Sequence, residues 1–170
     1  MANTPFIADS SGILRWPGGE ARCALGKGGV TPAESKHEGD GATPLGVWPM
    51  RQVFWREDRL ARPATGLPID ALIPEAGWCD DPSSPLYNFP VALPFPLSHE
   101  KLWREDGVYD VIVVLGYNDD PPVRGKGSAI FVHVARPDYS PTEGCVACAR
   151  ADLLALLATA KLGDTLTIVR

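Results

Sequence analysis

Cysteine is scarce in this chain: Cys23, Cys79, Cys145 and Cys148 are the four in 170 residues. Only the last two are close in sequence, so a disulfide framework is not expected to hold the fold. No apolar run approaches the ~18 residues that would suggest a membrane span. Clustered lysine and arginine are missing too, and the formal net charge is -5. Without a basic surface to neutralise phosphates, nucleic acid is excluded as a partner. The opening "MANTPFIADSSGILRW" has neither the basic n-region nor the apolar h-region of a secretory leader. That leaves two expectations open, a cytoplasmic chain or one numbered after its leader was removed. There is no internal repeat and no βαβ alternation, which argues against Rossmann and thioredoxin-like patterns.

What the chain has in quantity is Gly and Pro, 17 of each, interleaved with strand-like segments. This predicts tight turns and long loops in one domain spanning residues 1–170, large enough to bury roughly two thirds of its unfolded surface. "GILRW" and "ARCAL" flank a Pro-Gly-Gly-Glu turn and read as a hairpin. Residues 26–46 read as a long loop that approaches a site, with Lys36–Asp40 as its solvated part. "VWPMRQVFW" reads as a strand given bulge or edge character by Pro49. Residues 57–106 are Pro-rich and carry no assignable regular structure. His99 and Trp103, four apart, suggest one helical face lining a cleft with Asn88 and Asn118 nearby, although a structural role is equally available to all four.

The strongest strand signals are "VYDVIVVLGY" (108–117) and "SAIFVHVA" (128–135), both dense in β-branched and aromatic residues. Alternation puts Ala129, Phe131, His133 and Ala135 on one face of the second strand, and Ile130, Val132 and Val134 on the deeper one. Leu153, Leu156, Leu157 and Ala160 recur at helical spacing, predicting a helix from about residue 150 to a cap at Gly163. "DTLTIVR" then closes the fold as a strand. The fold class is therefore mainly β, compact, with a C-terminal helix and a closing strand.

"HVARPDYSPTEGCVACAR" (133–150) carries the chemistry. A zinc site needs about four nitrogen or sulfur ligands, and the C-x-x-C pair has no second pair to complete it. A redox pair fits a C-x-x-C ahead of a helix, but that motif belongs on a βαβ unit. A lone nucleophile needs less: a thiol at Cys145, an imidazole at His133, and a glycine that lets the backbone turn. Gly144 supplies the turn, and the amides beside it can face a developing oxyanion. Cys148 then falls in the apolar run before the helix as packing. A thiol in an active pair is expected to react with iodoacetamide well below pH 8.5.

"IFVHVARP" and "PTEGCVA" together resemble the catalytic segment of the YkuD-type L,D-transpeptidases, with His133, Thr142, Gly144 and Cys145 at the matching positions. "EGDGATPLG", "GWCDDP" and "HEKLWREDGVYDVIVVLGYN" extend the likeness over most of the chain. The resemblance implies a cysteine-dependent enzyme of peptidoglycan biosynthesis, with cell-wall organisation and cell shape as its setting. Cys145 would attack the diaminopimelate carbonyl of a tetrapeptide stem and release the terminal D-alanine. The thioester would pass to the amine of a second stem as a 3-3 cross-link, or to water in an L,D-carboxypeptidase or related hydrolase. A catalytically inactive wall-binding domain is the third expectation. His133 would be the general base, with the Val134 carbonyl orienting its ring. No metal or cofactor is implied, the partners are peptidoglycan stem peptides, the chain is expected to be a monomer, and the location is the cell envelope, the periplasm.

Two positions depart from the family pattern. Many members have histidine before Gly-Cys and arginine or asparagine two residues after the cysteine, where this chain has Glu143 and Ala147. Glu143 would raise the thiol's pKa if it pointed inward, so it is expected to face solvent or pair with Arg136 or Arg150. Substrate binding is assigned to Thr142 and to Arg136, whose guanidinium can hold a carboxylate bidentately.

Overall fold

A computed structural model of the protein describes residues 5–170. Residues 1–4, which the sequence reading includes in the domain and in the question of a leader, lie outside the described residues. The chain is mainly β. The N-terminal strands are β1 (Phe6–Asp9), β2 (Ile13–Trp16) and β3 (Gly19–Ala24). The short β4 (Val30–Thr31) and β5 (Thr43–Pro44) pair within the long loop, and β6 (Gly46–Trp55) follows. Next come β7 (Ile69–Ala71), β8 (Ala76–Cys79), β9 (Pro90–Ala92) and β10 (His99–Lys101). The chain ends with β11 (Val111–Leu115), β12 (Phe131–Val134), β13 (Val146–Cys148), α1 (Arg150–Thr159) and β14 (Thr165–Val169).

The main sheet runs β11-β12-β13-β3-β2-β1-β14-β6-β7, and it closes on itself because β11 also pairs with β6. Far from being an edge, β6 is the closing strand. Its first half pairs β14 through Pro49↔Thr165, and its second half pairs β11 and β7. The irregularity expected near Pro49 lies in β6 itself: Val114 pairs Gln52 and the next residue, Leu115, pairs Met50, so Arg51 is the extra residue of a bulge. Closure removes nearly all free edges, which is how a sheet of this size avoids pairing with other chains.

Alternation decides what fills each side. Leu14, Val53, Val111, Val113, Val132, Val146, Leu166 and Ile168 point into one core, which Leu153, Leu156 and Leu157 of α1 cover. Phe131, Ile112, Val114 and Cys145 point the other way, into a second core with Trp78, Leu102 and Tyr109. The three-stranded sheet β10-β8-β9 supplies Trp78 to that second core. The Pro-rich segment therefore does contain regular structure, in strands of three or four residues. His99 lies on β10, so the expected helical face with Trp103 does not exist; Trp103 instead stacks under the Arg56 guanidinium at 3.5 Å.

The two strong strand signals are real but shorter than their apolar runs. Asp110 donates its N–H to Gly107 O at 3.2 Å, a turn that delays β11. Ala129 has φ +54°, which breaks extended geometry before β12. The helix also stops early: Ala160 is extended and Lys161 N–H donates to Asp164 Oδ2 at 2.8 Å, so the chain turns before reaching Gly163.

Candidate active site

Cys145 sits at the end of a turn that three separate backbone segments hold. Gly144 has φ +132°, a conformation glycine alone adopts without strain, and a Cβ there would lie 2.9 Å from the Ala42 carbonyl oxygen. Thr142 Oγ1 donates to Cys145 O at 2.8 Å and accepts from Gly144 N–H at 3.1 Å, closing the turn. Lys27 N–H donates to Thr142 O at 2.8 Å, and Thr142 N–H to Leu25 O at 3.0 Å. Thr43 Oγ1 accepts from Gly26 N–H at 2.9 Å, which ties the long loop to the same place.

The loop over residues 26–46 is thus a buttress of the site, and it is less solvated than its charges suggest. Lys36 is only 3% exposed, and its Nζ bonds Asp40 Oδ1 at 2.6 Å and the His37 carbonyl at 3.0 Å. The sequence reading of Lys36–Asp40 as solvated loop is corrected by this pair. A mixed-charge run is also what a buried, self-neutralising turn looks like.

β12 and β13 are parallel neighbours, with Val132 opposite Val146 and His133 opposite Ala147. Cys145, the residue before β13, shares a face with Ala147, so it and His133 open on the same side and line one cleft of about 400 Å³. Cys145 Sγ donates to Ala129 O at 3.2 Å and accepts from Phe131 N–H at 3.3 Å. Ala129 is locked in place by its N–H, which donates to Asn88 Oδ1 at 3.0 Å. Asn88 also accepts from Trp78 Nε1 at 2.9 Å and donates to Asn118 O at 2.8 Å, so both asparagines serve the backbone.

His133 Nδ1 lies 3.0 Å from the Val134 carbonyl, an arrangement that puts the proton on Nδ1 and leaves Nε2 as the free acceptor. The Tyr109 ring meets the imidazole edge-on at 5.2 Å between centroids. Burial pushes the imidazole pKa down to about 4 and the Cys145 thiol up to about 12, the latter with help from the Glu100 charge. At neutral pH the resting site thus holds a neutral thiol and a neutral imidazole, and the thiol's proton points to a backbone carbonyl. Native protein at pH 7 is expected to alkylate with iodoacetamide more slowly than a simple thiol, and faster only as pH rises towards the shifted value. Peptide mass mapping after timed quenching measures this, and fast labelling of Cys145 at pH 7 would contradict a protonated resting thiol.

Ion pairs fix the charged groups of the rim. Glu143 faces solvent, and its partner is Lys27, 2.8 Å away, not an arginine. Arg150 is engaged with Asp110 and Arg136 with Asp106, the latter at 3.5 Å. Arg136 lines the cleft and is half exposed. Thr142 lines it too, while Ala147 forms part of the wall where the family pattern has a polar side chain. Arg104, Glu100 and Tyr109 also line the cleft and were not singled out. Arg104 is held on Asp106 through Nε at 3.0 Å and Nη2 at 2.5 Å. The one sequence signal for them was the charge-and-aromatic density of "HEKLWREDGVYD" itself.

The C-x-x-C spacing splits across the sheet. Cys145 joins the core under the cleft, whereas Cys148 is fully buried on the opposite side, and all four cysteines are free thiols. Among the described residues no three His, Cys, Asp or Glu side chains cluster to hold a metal ion, and no helix is long and apolar enough to cross a membrane.

In class, this is a mainly β domain built around an open polar cleft that brings a thiol and an imidazole together. The YkuD profile, described as L,D-transpeptidase catalytic domain, matches residues 4–169, and the chain belongs to that family. Comparison with curated proteins and with solved structures gave no match. Membership makes it an L,D-transpeptidase-type domain of a family that acts on peptidoglycan.

Proposed function

We propose that residues 1–170 form a single catalytic domain that cross-links peptidoglycan through a thioester on Cys145. The observation that carries this reading is that Cys145, immediately before β13, and His133, on the parallel neighbour β12, line one cleft, with Nε2 free to accept a proton. Since both groups rest neutral, proton transfer from Sγ to Nε2 accompanies attack and no thiolate is stored beforehand. The thiol swings from the Ala129 carbonyl to the donor stem's diaminopimelate carbonyl. The Cys145 N–H makes no hydrogen bond among the described residues and faces the developing oxyanion, and Gly144 sets its direction. D-alanine leaves with the proton from His133.

Carboxylate recognition falls to Arg136 together with Arg104. Both guanidiniums are held by Asp106, Arg104 through Nε and Nη2 and Arg136 through Nη1, which leaves Nη1 of Arg104 and Nη2 of Arg136 for a substrate carboxylate. Thr142 borders the donor stem while its hydroxyl keeps the turn. A second stem's amine takes the acyl group as a 3-3 cross-link in the cell envelope. Incubation with a diaminopimelate tetrapeptide is expected to give a mass increase on Cys145 equal to the tripeptide acyl group, and a cross-linked dimer on adding acceptor. Tripeptide alone in the presence of acceptor would identify a carboxypeptidase. No adduct on any cysteine would leave the wall-binding reading.

A further inference from the structure

Glu100 is a carboxylate that the thiol-imidazole chemistry does not use, and it stands on the cleft beside the nucleophile. It lies on β10 opposite Trp78 of β8, so backbone pairing fixes its position and direction. Tyr109 donates its hydroxyl to Oε1, and the same Tyr109 ring packs edge-on against His133 and Phe131. Oε2 makes no hydrogen bond among the described residues and is not sealed from solvent, so it is left to the cleft. Of the acids on the cleft, Glu100 is the one whose charge bears most on the Cys145 thiol, Glu143 is paired with Lys27, and Glu38 and Asp80 each have one oxygen held. Glu38 Oε1 accepts from Tyr87 at 2.8 Å and from Ser128 at 2.5 Å, and Asp80 Oδ1 accepts from Ser98 at 2.6 Å.

We propose that Glu100 is the base that deprotonates the acceptor ammonium, a role separate from that of His133 and resting on the thioester reading above. The step balances as follows. The Glu100 carboxylate takes one proton from R–NH3⁺, and the freed nitrogen pair forms a C–N bond to the thioester carbonyl carbon. The C–S bond breaks and sulfur leaves with its electron pair. A second nitrogen proton returns through His133 to sulfur, and Glu100 gives its proton to solvent.

Charge ordering makes the division of labour work. Glu100 and the thiol each make a negative charge on the other costlier, and Glu100 acts once sulfur is tied up as a neutral thioester. Burial, Asp80 and Glu38 raise the Glu100 pKa, while Tyr109 and Arg104 lower it. A carboxyl raised in this way is a better proton acceptor than an exposed one, which suits it to an ammonium. Water carries no such positive charge, so this wall selects an amine over hydrolysis.

The test uses preformed acyl-enzyme and measures how the thioester divides between transfer and hydrolysis. In Glu100→Gln the ratio of amine transfer to hydrolysis should fall about 10²-fold, the scale of one positioned acid–base group. Hydroxylamine, a nitrogen nucleophile already unprotonated at neutral pH, should be used by Glu100→Gln as well as by the parent. In Tyr109→Phe the lost hydrogen bond raises the Glu100 pKa, so the rise of the transfer ratio with pH should move to higher pH. An unchanged ratio in Glu100→Gln, or equal losses with hydroxylamine and with the ammonium acceptor, would overturn the role of Glu100 while leaving the thioester intact. Absence of any thioester in the parent would overturn both proposals.

Discussion

Cys145→Ala should abolish acyl-enzyme formation and turnover, while Cys148→Ser should keep its turnover per folded molecule and lose stability instead. The first loss is on the order of 10⁶-fold, the scale on which removal of a covalent nucleophile acts, and reads as no detectable product. It costs little in folding, because alanine keeps the Cβ packing under the cleft. Cys148 sits fully buried in the core covered by α1, with Val146 and Leu153 in the same cluster. A serine hydroxyl there finds no partner and should cost about 1–3 kcal/mol, or roughly 2–12 °C in Tm for a domain of this size. Intact-mass measurement of the adduct and thermal unfolding of both variants separate the two roles. A Cys148→Ser protein that folds but cannot turn over would reinstate the redox pair.

Cys145 and Cys148 show what the sequence made legible. The apolar run before the helix marks Cys148 as packing, whereas its place on the face opposite Cys145 comes from β13, a strand with no signal in the sequence. The hairpin, the closing strand with its buried Leu166 and Ile168, and the helix face of Leu153, Leu156 and Leu157 were legible from their periodicity. Closure of the sheet was not, because β6 divides its pairing between β14 and β11 and no local pattern encodes two partners. β8, β9 and β10 were hidden by their brevity and by proline at Pro90. In the cleft, residues visible in the sequence were those within one segment. Glu143 meets Lys27 from 116 positions away, and Glu100 reaches the Tyr109 hydroxyl from a strand that gave no signal. Long-range ion pairing leaves no periodicity to read.

Asp110→Ala should be the most destabilising single change of a charged residue. Asp110 is 2% exposed and lies directly after Tyr109, at the entry to β11. Its carboxylate is gripped by Arg59 Nη1 at 2.8 Å and by Nη2 of Arg150, and its carbonyl accepts from Arg56 N–H at 2.9 Å. Arg150 is the first residue of α1, where a positive charge opposes the helix dipole, and Asp110 offsets that unfavourable placement. Alanine would leave the Arg59 and Arg150 guanidiniums, both partly exposed, without the carboxylate they share. With the remaining guanidiniums partly exposed to solvent, losing their charge-assisted hydrogen bonds should cost about 1.5–3 kcal/mol, or roughly 3–12 °C in Tm here. Asp110→Asn keeps the shape without the charge and should fall between. Because Val134 N–H donates to Val108 O at 3.0 Å, loosening this corner also loosens the strand that carries His133. Turnover at 25 °C should therefore fall further than the folded fraction measured by circular dichroism. A fall that only tracks the folded fraction would place Asp110 in the scaffold alone.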